Sequence, residues 1–324
     1  MSFLSIQQVN KDYTSQKGVV KDFTLQLEKG DILALLGESG SGKSTLLKMI
    51  AGLENKDTGE INVGDLKVKN PSERLVPGYD EVQLVYQDYK LYPNATVAEN
   101  ILRPLLLYDR SYRESRVRFL LDLLKLEAYK DKLPRHLSGG QQQKVAIGRA
   151  LSLEPELILL DEPFSSLDTI QRRELLVELK SMFKALGVTV VFVTHDLDDA
   201  LQLTDQLALI KQGVLIQRGT AAEIFKHPAN LYAAQLFSHL NAIPEQTTSF
   251  IRPSDIKLFK TKGVKAKVMD VQYLIHYNQL FVQLANGHHW RLEDQSRSFQ
   301  IGDSVYLQWE ESKILHFNQS SSKA

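Results

Sequence analysis

Gly37-Glu38-Ser39-Gly40-Ser41-Gly42-Lys43-Ser44-Thr45 is the stretch from which the rest of this chain is read. The apolar run Ile32-Leu33-Ala34-Leu35-Leu36 before it predicts a fully buried strand, and Leu46-Leu47-Lys48-Met49-Ile50-Ala51 after it predicts a helix stopped by Gly52. Strand, glycine loop and helix in that order form a phosphate cradle. Glycines let the backbone turn tightly and aim successive N–H groups at phosphate oxygens, and the positive end of the helix dipole adds to the attraction. In the spacing G-x-x-x-x-G-K-S, Lys43 would reach the terminal phosphates and Ser44 would hold Mg²⁺. A nucleotide is therefore expected, and the remaining residues must say to what end.

A chain of 324 residues is long enough for about two domains and one substantial core. Its 39 basic and 39 acidic residues cancel, so no strong electrostatic pull toward nucleic acid or lipid is implied. No stretch reaches the roughly 18 apolar residues of a membrane span, and Met1-Ser2-Phe3-Leu4 lacks the basic start and apolar core of a secretory signal. A cytoplasmic chain is expected. The absence of cysteine excludes disulfides, thiol catalysis and cysteine-based zinc sites. Any membrane role would have to come through another protein.

The first segment alternates apolar and polar residues (Phe3, Leu4, Ile6, Val9; Val19, Val20, Phe23, Leu25, Leu27) and predicts short antiparallel strands. Tyr13 falls in the turn region between them, where it would either stack on an adenine ring or cover a sheet edge. Gly59 to Val63 is another strand and Pro71 to Gly78 a loop. Glu81 to Tyr86 predicts a strand ending at Gln87, which could touch Mg²⁺ or an attacking water, although alone it is an ordinary polar residue. Thr96-Val97-Ala98-Glu99 is a capping box, and Val117, Leu120, Leu121 and Leu124 recur at helical spacing, so residues 96–135 form a helical insertion. Its apolar stripe reads as core, and Tyr89 to Tyr92 as the exposed contact.

Leu137-Ser138-Gly139-Gly140-Gln141 leads into a helical run beginning at Lys144. Ser138 suits an N-cap, and the glycines leave bare N–H groups that make either a second anion site or a plain capped helix. Leu157 to Leu160 predicts a buried strand ending at Asp161-Glu162, where Asp161 would hold Mg²⁺ and Glu162 would accept a proton from water. A second buried strand, Val188 to Val193, ends at Thr194-His195. A lone His is usually structural, but at a strand end it can bond a γ-phosphate and orient the water. A hairpin (Leu207–Ile210, Val214–Ile216), a helix from about Ala221 to Leu240 broken near Pro228, and an alternating all-β segment after Pro244 complete the chain. Two anion sites that a single nucleotide fills only if they face each other hint at a dimer.

Together these stretches resemble the ATP-binding cassette family over residues 3–240: an adenine-stacking aromatic (Tyr13), Walker A (Gly37 to Thr45), the Q-loop glutamine (Gln87), the signature LSGGQ (Leu137 to Gln141), Walker B with its glutamate (Leu157 to Glu162), the D-loop Ser166-Leu167-Asp168 and the switch His195. The resemblance implies head-to-tail pairing of two cassettes, with ATP on one Walker A clamped by the partner copy's Ser138, Gly139 and Gly140. It also implies in-line hydrolysis with Lys43, Mg²⁺ and His195 holding charge and Glu162 taking a proton. Phe250-Ile251-Arg252-Pro253-Ser254-Asp255-Ile256 is similar to the opening of the transport-associated tail of importer ATPases, with Ser254 where an acidic residue is usual.

The expected architecture is α/β: a P-loop cassette over 1–240 with a helical subdomain at about 88–137, then a small all-β, oligonucleotide-binding-like domain over 241–324. The expected function is the ATPase subunit of an importer of a small solute, ferric iron or polyamine being favoured on tail length. It would act as a cytoplasmic homodimer on the inner face of the cell membrane, docked by the region Gln87 to Leu102 on separate permease subunits and indirectly served by a solute-binding protein, with no nucleic acid partner. The alternative is a soluble cassette ATPase acting on RNA or ribosomes, its tail an RNA-binding module.

Overall fold

The computed structural model describes residues 2–14, 16–204, 206–246 and 248–317. In chain order the elements are β1 (Leu4–Tyr13), β2 (Gln16–Leu27), β3 (Ile32–Leu36), α1 (Lys43–Ile50), β4 (Thr58–Val63), β5 (Leu66–Lys67), β6 (Val82–Val85), α2 (Val97–Leu102), α3 (Arg110–Leu123), α4 (Gly139–Leu151), β7 (Leu157–Asp161), α5 (Thr169–Leu186), β8 (Thr189–Thr194), α6 (Leu197–Leu203), β9 (Gln206–Lys211), β10 (Val214–Thr220), α7 (Ala221–Lys226) and α8 (Leu231–Phe237). The remainder is β11 (Asn241–Ala242), β12 (Ser249–Ile251), β13 (Lys257–Phe259), β14 (Val264–Tyr273), β15 (Asn278–Leu284), β16 (His289–Asp294), β17 (Ser304–Gln308) and β18 (Leu315–His316).

A sheet of order β10-β9-β3-β8-β7-β6 carries the site. From β9 to β6 its strands run parallel, and every residue of β3, β7 and β8 is buried, as expected of strands covered on both faces. Each fully buried Leu, Ile or Val there stabilises the fold by ~1.5–3 kcal/mol. Their carboxyl ends lie together, so the residues that follow each strand meet at one edge, where open α/β sheets bind ligands. A second sheet, β2-β1-β4-β5, is antiparallel and shares with β3, α1 and β7 a core that includes Phe23, Leu33, Leu47 and Leu159.

Helices α2 and α3 fall within the expected insertion, and α4 follows it. Thr96 and Glu99 close a reciprocal capping box at the start of α2, and Leu120, Leu121 and Leu124 are buried. The long α5 starts at Asp168, whose carboxylate accepts from the Ile170 and Gln171 N–H groups, and stops at Gly187 in the left-handed conformation (φ 63°).

Chain contacts divide the protein into units ending at Ile224 and beginning at Phe225, earlier than the change of composition after Pro244. The reason lies inside the second unit: buried Arg252 donates to the Phe225 carbonyl at 2.5 Å and stacks its guanidinium 4.0 Å from the Phe225 ring centre. That unit is all-β after α8. It holds a five-stranded antiparallel sheet (β13-β17-β14-β15-β16) and a three-stranded one (β11-β12-β18) around Ile251, Val268, Leu280, Val282, Trp290 and Leu292.

Candidate nucleotide site

The loop between β3 and α1 is pressed so closely against its neighbours that two positions exclude any side chain. A Cβ on Gly42 (φ 94°) would overlap the Val19 carbonyl oxygen, and one on Gly37 the Ile210 carbonyl oxygen. The backbone is thereby bared at the N-terminus of α1. Lys43 turns back over this loop and donates to the carbonyls of Gly37 (2.8 Å) and Glu38 (2.7 Å), with Ser41 Oγ at 3.4 Å. Burial pushes the Lys43 pKa down, against the pull of Glu162, Asp161 and Glu38. An ammonium so stripped of water gains strongly from an anionic ligand. Tyr13, Gly40, Lys43, Ser44, Thr45 and Glu162 line one cleft of about 250 Å³, which also takes in Ser39. Tyr13 is thus beside the loop, and the Lys11 ammonium, paired with Glu54 and Asp57 at 3.4 Å each, lies 5.0 Å from its ring centre.

Across the cleft β7 delivers Asp161, whose Oδ1 accepts from Ser44 Oγ at 2.8 Å. Burial raises the Asp161 pKa, opposed by the Ser44 bond. Glu162 follows with φ 43°, a conformation rarely adopted outside glycine, pinned by its N–H to the Val193 carbonyl (3.1 Å). Its Oε2 lies 3.4 Å from Nδ1 of His195, which comes from the end of β8 and is half exposed. Gln87 Nε2 donates to Ser165 Oγ (3.3 Å), which in turn donates to the Glu162 carbonyl (3.1 Å). Gln87 and Asp161 share a second cleft of about 630 Å³ with Lys48, Lys90 and Ser165.

Among the described residues no group of three or more His, Asp or Glu side chains gathers to hold a metal ion unaided. A hydroxyl and one carboxylate, Ser44 and Asp161, nonetheless suit Mg²⁺, which takes few protein ligands and completes its shell with phosphate oxygens and water.

The glycine pair lies elsewhere. Ser138 caps α4, accepting from Gln141 N–H (3.4 Å) while its own N–H donates to Gln141 Oε1 (3.0 Å). Ser138 thus caps the helix as expected, and Gln141 of the S-x-x-Q pattern completes a reciprocal capping box. Beside it, Gly139 and Gly140 leave their own N–H groups without an intrahelical partner and uncovered by a side chain. None of Ser138, Gly139, Gly140 or Gln141 lines the cleft at Lys43. Asp168 serves as the α5 cap.

The expected exposed contact at 89–92 divides in two. Tyr92 is 41% exposed, but Tyr89 is 9% exposed and turned inward, its hydroxyl bonded to Ser166 Oγ. Arg149 of α4 donates to the carbonyls of Lys90 (2.6 Å) and Tyr89 (3.0 Å). Only the presence of a cation in the apolar run around Ala146 and Ile147 marked Arg149 in the sequence.

The profile of the ABC transporter family matches residues 20–165, and that of the TOBE domain residues 250–317. The chain is 33% identical over 361 residues to the spermidine/putrescine import ATP-binding protein PotA of Thermotoga maritima, covering 98% of this chain and 96% of that one. It is 35% identical over 338 residues to the sulfate/thiosulfate import ATP-binding protein CysA of Nephroselmis olivacea, covering 95% and 96%. Among solved structures it is similar to the dimeric post-hydrolysis state of the ATP-binding cassette MJ0796 bound to ADP and Pi, with TM-score 0.58 and 31% identity over 67% of this chain and 98% of that one. With similarity running the whole length of two import proteins, and a phosphate cradle facing a carboxylate pair, this chain belongs to the ABC transporter family as an importer-type ATP-binding subunit, an ATPase with a C-terminal TOBE domain.

Proposed function

We propose that two copies of this chain close head to tail over two ATP molecules and that closure drives uptake of a small solute through separate permease subunits. One observation carries this reading: the chain has two glycine-bared helix starts, at α1 and α4, and only the first lines the nucleotide cleft. The second, presented by Ser138, Gly139 and Gly140 with Gln141 completing the cap, is free to meet the γ-phosphate held by a partner copy. Asp168, at the start of α5, belongs to the same face of the pairing.

Within one site the parts divide by chemistry. Tyr13 offers a ring face to adenine, and the loop from Gly37 through Glu38, Ser39, Gly40, Ser41 and Gly42 to Thr45 wraps the phosphates. Lys43 offsets their charge. Ser44 and Asp161, with Gln87 beside them, would hold Mg²⁺, which would neutralise phosphate oxygens. Glu162 accepts the proton of the attacking water, and His195 orients that water and holds γ-phosphate charge.

Among the described residues no helix is long and apolar enough to cross a membrane. Attachment to the inner face of the cell membrane would therefore run through permease subunits, with Gln87 to Leu102 as the docking region and a solute-binding protein acting indirectly. One whole-length relative bears the name of a cationic cargo and the other of an anionic one. Of the two cargoes favoured on tail length, spermidine/putrescine is supported by a relative's name.

The test is to tag the chain, extract host membranes in mild detergent and identify what co-purifies. An integral membrane protein is expected. Ribosomal proteins or RNA without a membrane subunit would overturn the reading in favour of a soluble ATPase with an RNA-binding tail.

A further inference from the structure

We propose that Tyr89 is a positioning residue for ATP hydrolysis: its hydroxyl bond to Ser166 locks the loop that carries Gln87 to the segment that leaves Glu162. The inference rests on Gln87 and Glu162 acting in hydrolysis as proposed above.

The loop after β6 does not hang free. Tyr89 and Lys90 both adopt left-handed backbone conformations (φ 58° and 44°), which non-glycine residues hold only where surrounding contacts over-determine them. The contacts here are the backbone bonds from the Tyr89 N–H to the Tyr86 carbonyl and from the Lys90 N–H to the Asp88 carbonyl, together with Arg149 of the α4 helix, whose guanidinium donates to the carbonyls of both residues. The turn so fixed aims the Tyr89 ring inward, leaving it 9% exposed, and brings its hydroxyl to Ser166. Ser166 is the neighbour of Ser165, and Ser165 bonds both Gln87 and the Glu162 carbonyl.

Two residues of the loop, Gln87 and Tyr89, thus grip two consecutive serines of the segment between Glu162 and the α5 cap Asp168. The same segment borders the start of α4, since a Cβ on Gly139 would lie 3.1 Å from Leu167 and 3.7 Å from the Tyr89 hydroxyl. A displacement of the Gln87 loop must either carry Ser165 and Ser166 with it or break both bonds. Because Ser165 also donates to the Glu162 carbonyl, a shift of the gripped serines is passed to the residue that carries the catalytic carboxylate. Tyr89 touches neither nucleotide nor water in this scheme and acts through Ser166.

The experiment is a double-mutant cycle on the full chain with Tyr89→Phe, Ser166→Ala and the double variant, reading ATPase kcat, KM and Tm. Each single change is expected to lower kcat about three- to tenfold with KM held within about twofold and Tm nearly unchanged. The double variant is expected to be no slower than the slower single, and Ser166→Thr, which keeps a hydroxyl, should recover most of the rate lost in Ser166→Ala. Effects that multiply, an unchanged kcat, or a kcat loss that merely tracks Tm would each overturn the proposal. If Tyr89→Phe does not fold, the Ser166→Ala and Ser166→Thr pair decides alone. Glu162→Gln measured alongside tests the catalytic reading separately, since its loss of turnover does not depend on Tyr89.

Discussion

His195 Nδ1 stands 3.4 Å from Glu162 Oε2, so the ends of the neighbouring strands β8 and β7 set an imidazole against a carboxylate at the nucleotide cleft. The imidazole side chain is 55% exposed and supports no core. His195→Ala should therefore leave Tm and ATP affinity nearly intact while lowering kcat by about 10²-fold or more. Steady-state ATPase assays with a separate nucleotide-binding titration read both quantities. A large loss of affinity at normal turnover would show that His195 holds ground-state ATP instead.

Glu162→Gln keeps the shape of the side chain and removes its capacity to accept a proton. Turnover should fall by about 10²-fold or more, while ATP binding persists and traps the closed pair. Light scattering on a sizing column at saturating ATP should give a dimer mass; a purely monomeric variant would sink the sandwich mechanism.

Gly140 offers a cleaner probe of the partner site. A Cβ there meets only Gln171 Oε1 at an ordinary 3.7 Å, so a side chain is tolerated within the chain. Gly140→Asp should fold and bind ATP with unchanged affinity, yet block ATP-dependent dimerisation, because its carboxylate would face the phosphates held by the other copy. Weaker ATP binding by the isolated monomer would instead place Gly140 in the site of its own chain.

Stability should also carry the mark of Asp199, which is 4% exposed. Burial and the neighbouring Asp196 raise its pKa to about 6, only partly offset by Arg172, whose Nη1 is 3.6 Å away. Against an unfolded value of about 3.9, the folded state binds the extra proton. Its contribution is therefore fullest below pH ~4 and is lost as pH rises through ~6. Urea unfolding at several pH values should show Asp199→Asn gaining stability relative to the unsubstituted chain between pH ~4 and ~6, then a constant difference. A difference independent of pH would mean that Asp199 titrates normally.

The strands that deliver Asp161 and His195 could be recognised beforehand because parallel strands covered on both faces need apolar runs, as Leu157 to Leu160 in β7 and Val190 to Val193 in β8 supply. Caps were legible where the pattern is local, as at Thr96 and Ser138. Tyr89 was not, since it stands between Asp88 and Lys90 in a stretch with no apolar period, and what buries it comes from distant chain: Ser166 and Arg149. The start of the second unit was hidden for a similar reason. Composition changes only after Pro244, while Phe225 is tied to later residues by contacts between distant side chains, the Arg252 guanidinium and the Phe237 ring.

Arg149 meets two carbonyl oxygens and the Tyr92 ring where Lys29 meets the Glu156 carboxylate in the open. Mobile ions weaken an exposed pair such as Lys29 and Glu156, whose attraction is between two full charges in water. They have little purchase on a cation bound to neutral oxygens and partly withdrawn from solvent. The turn behind Gln87 should therefore keep its shape from dilute buffer to concentrated salt, making the machinery's internal wiring indifferent to ionic shifts that loosen its surface.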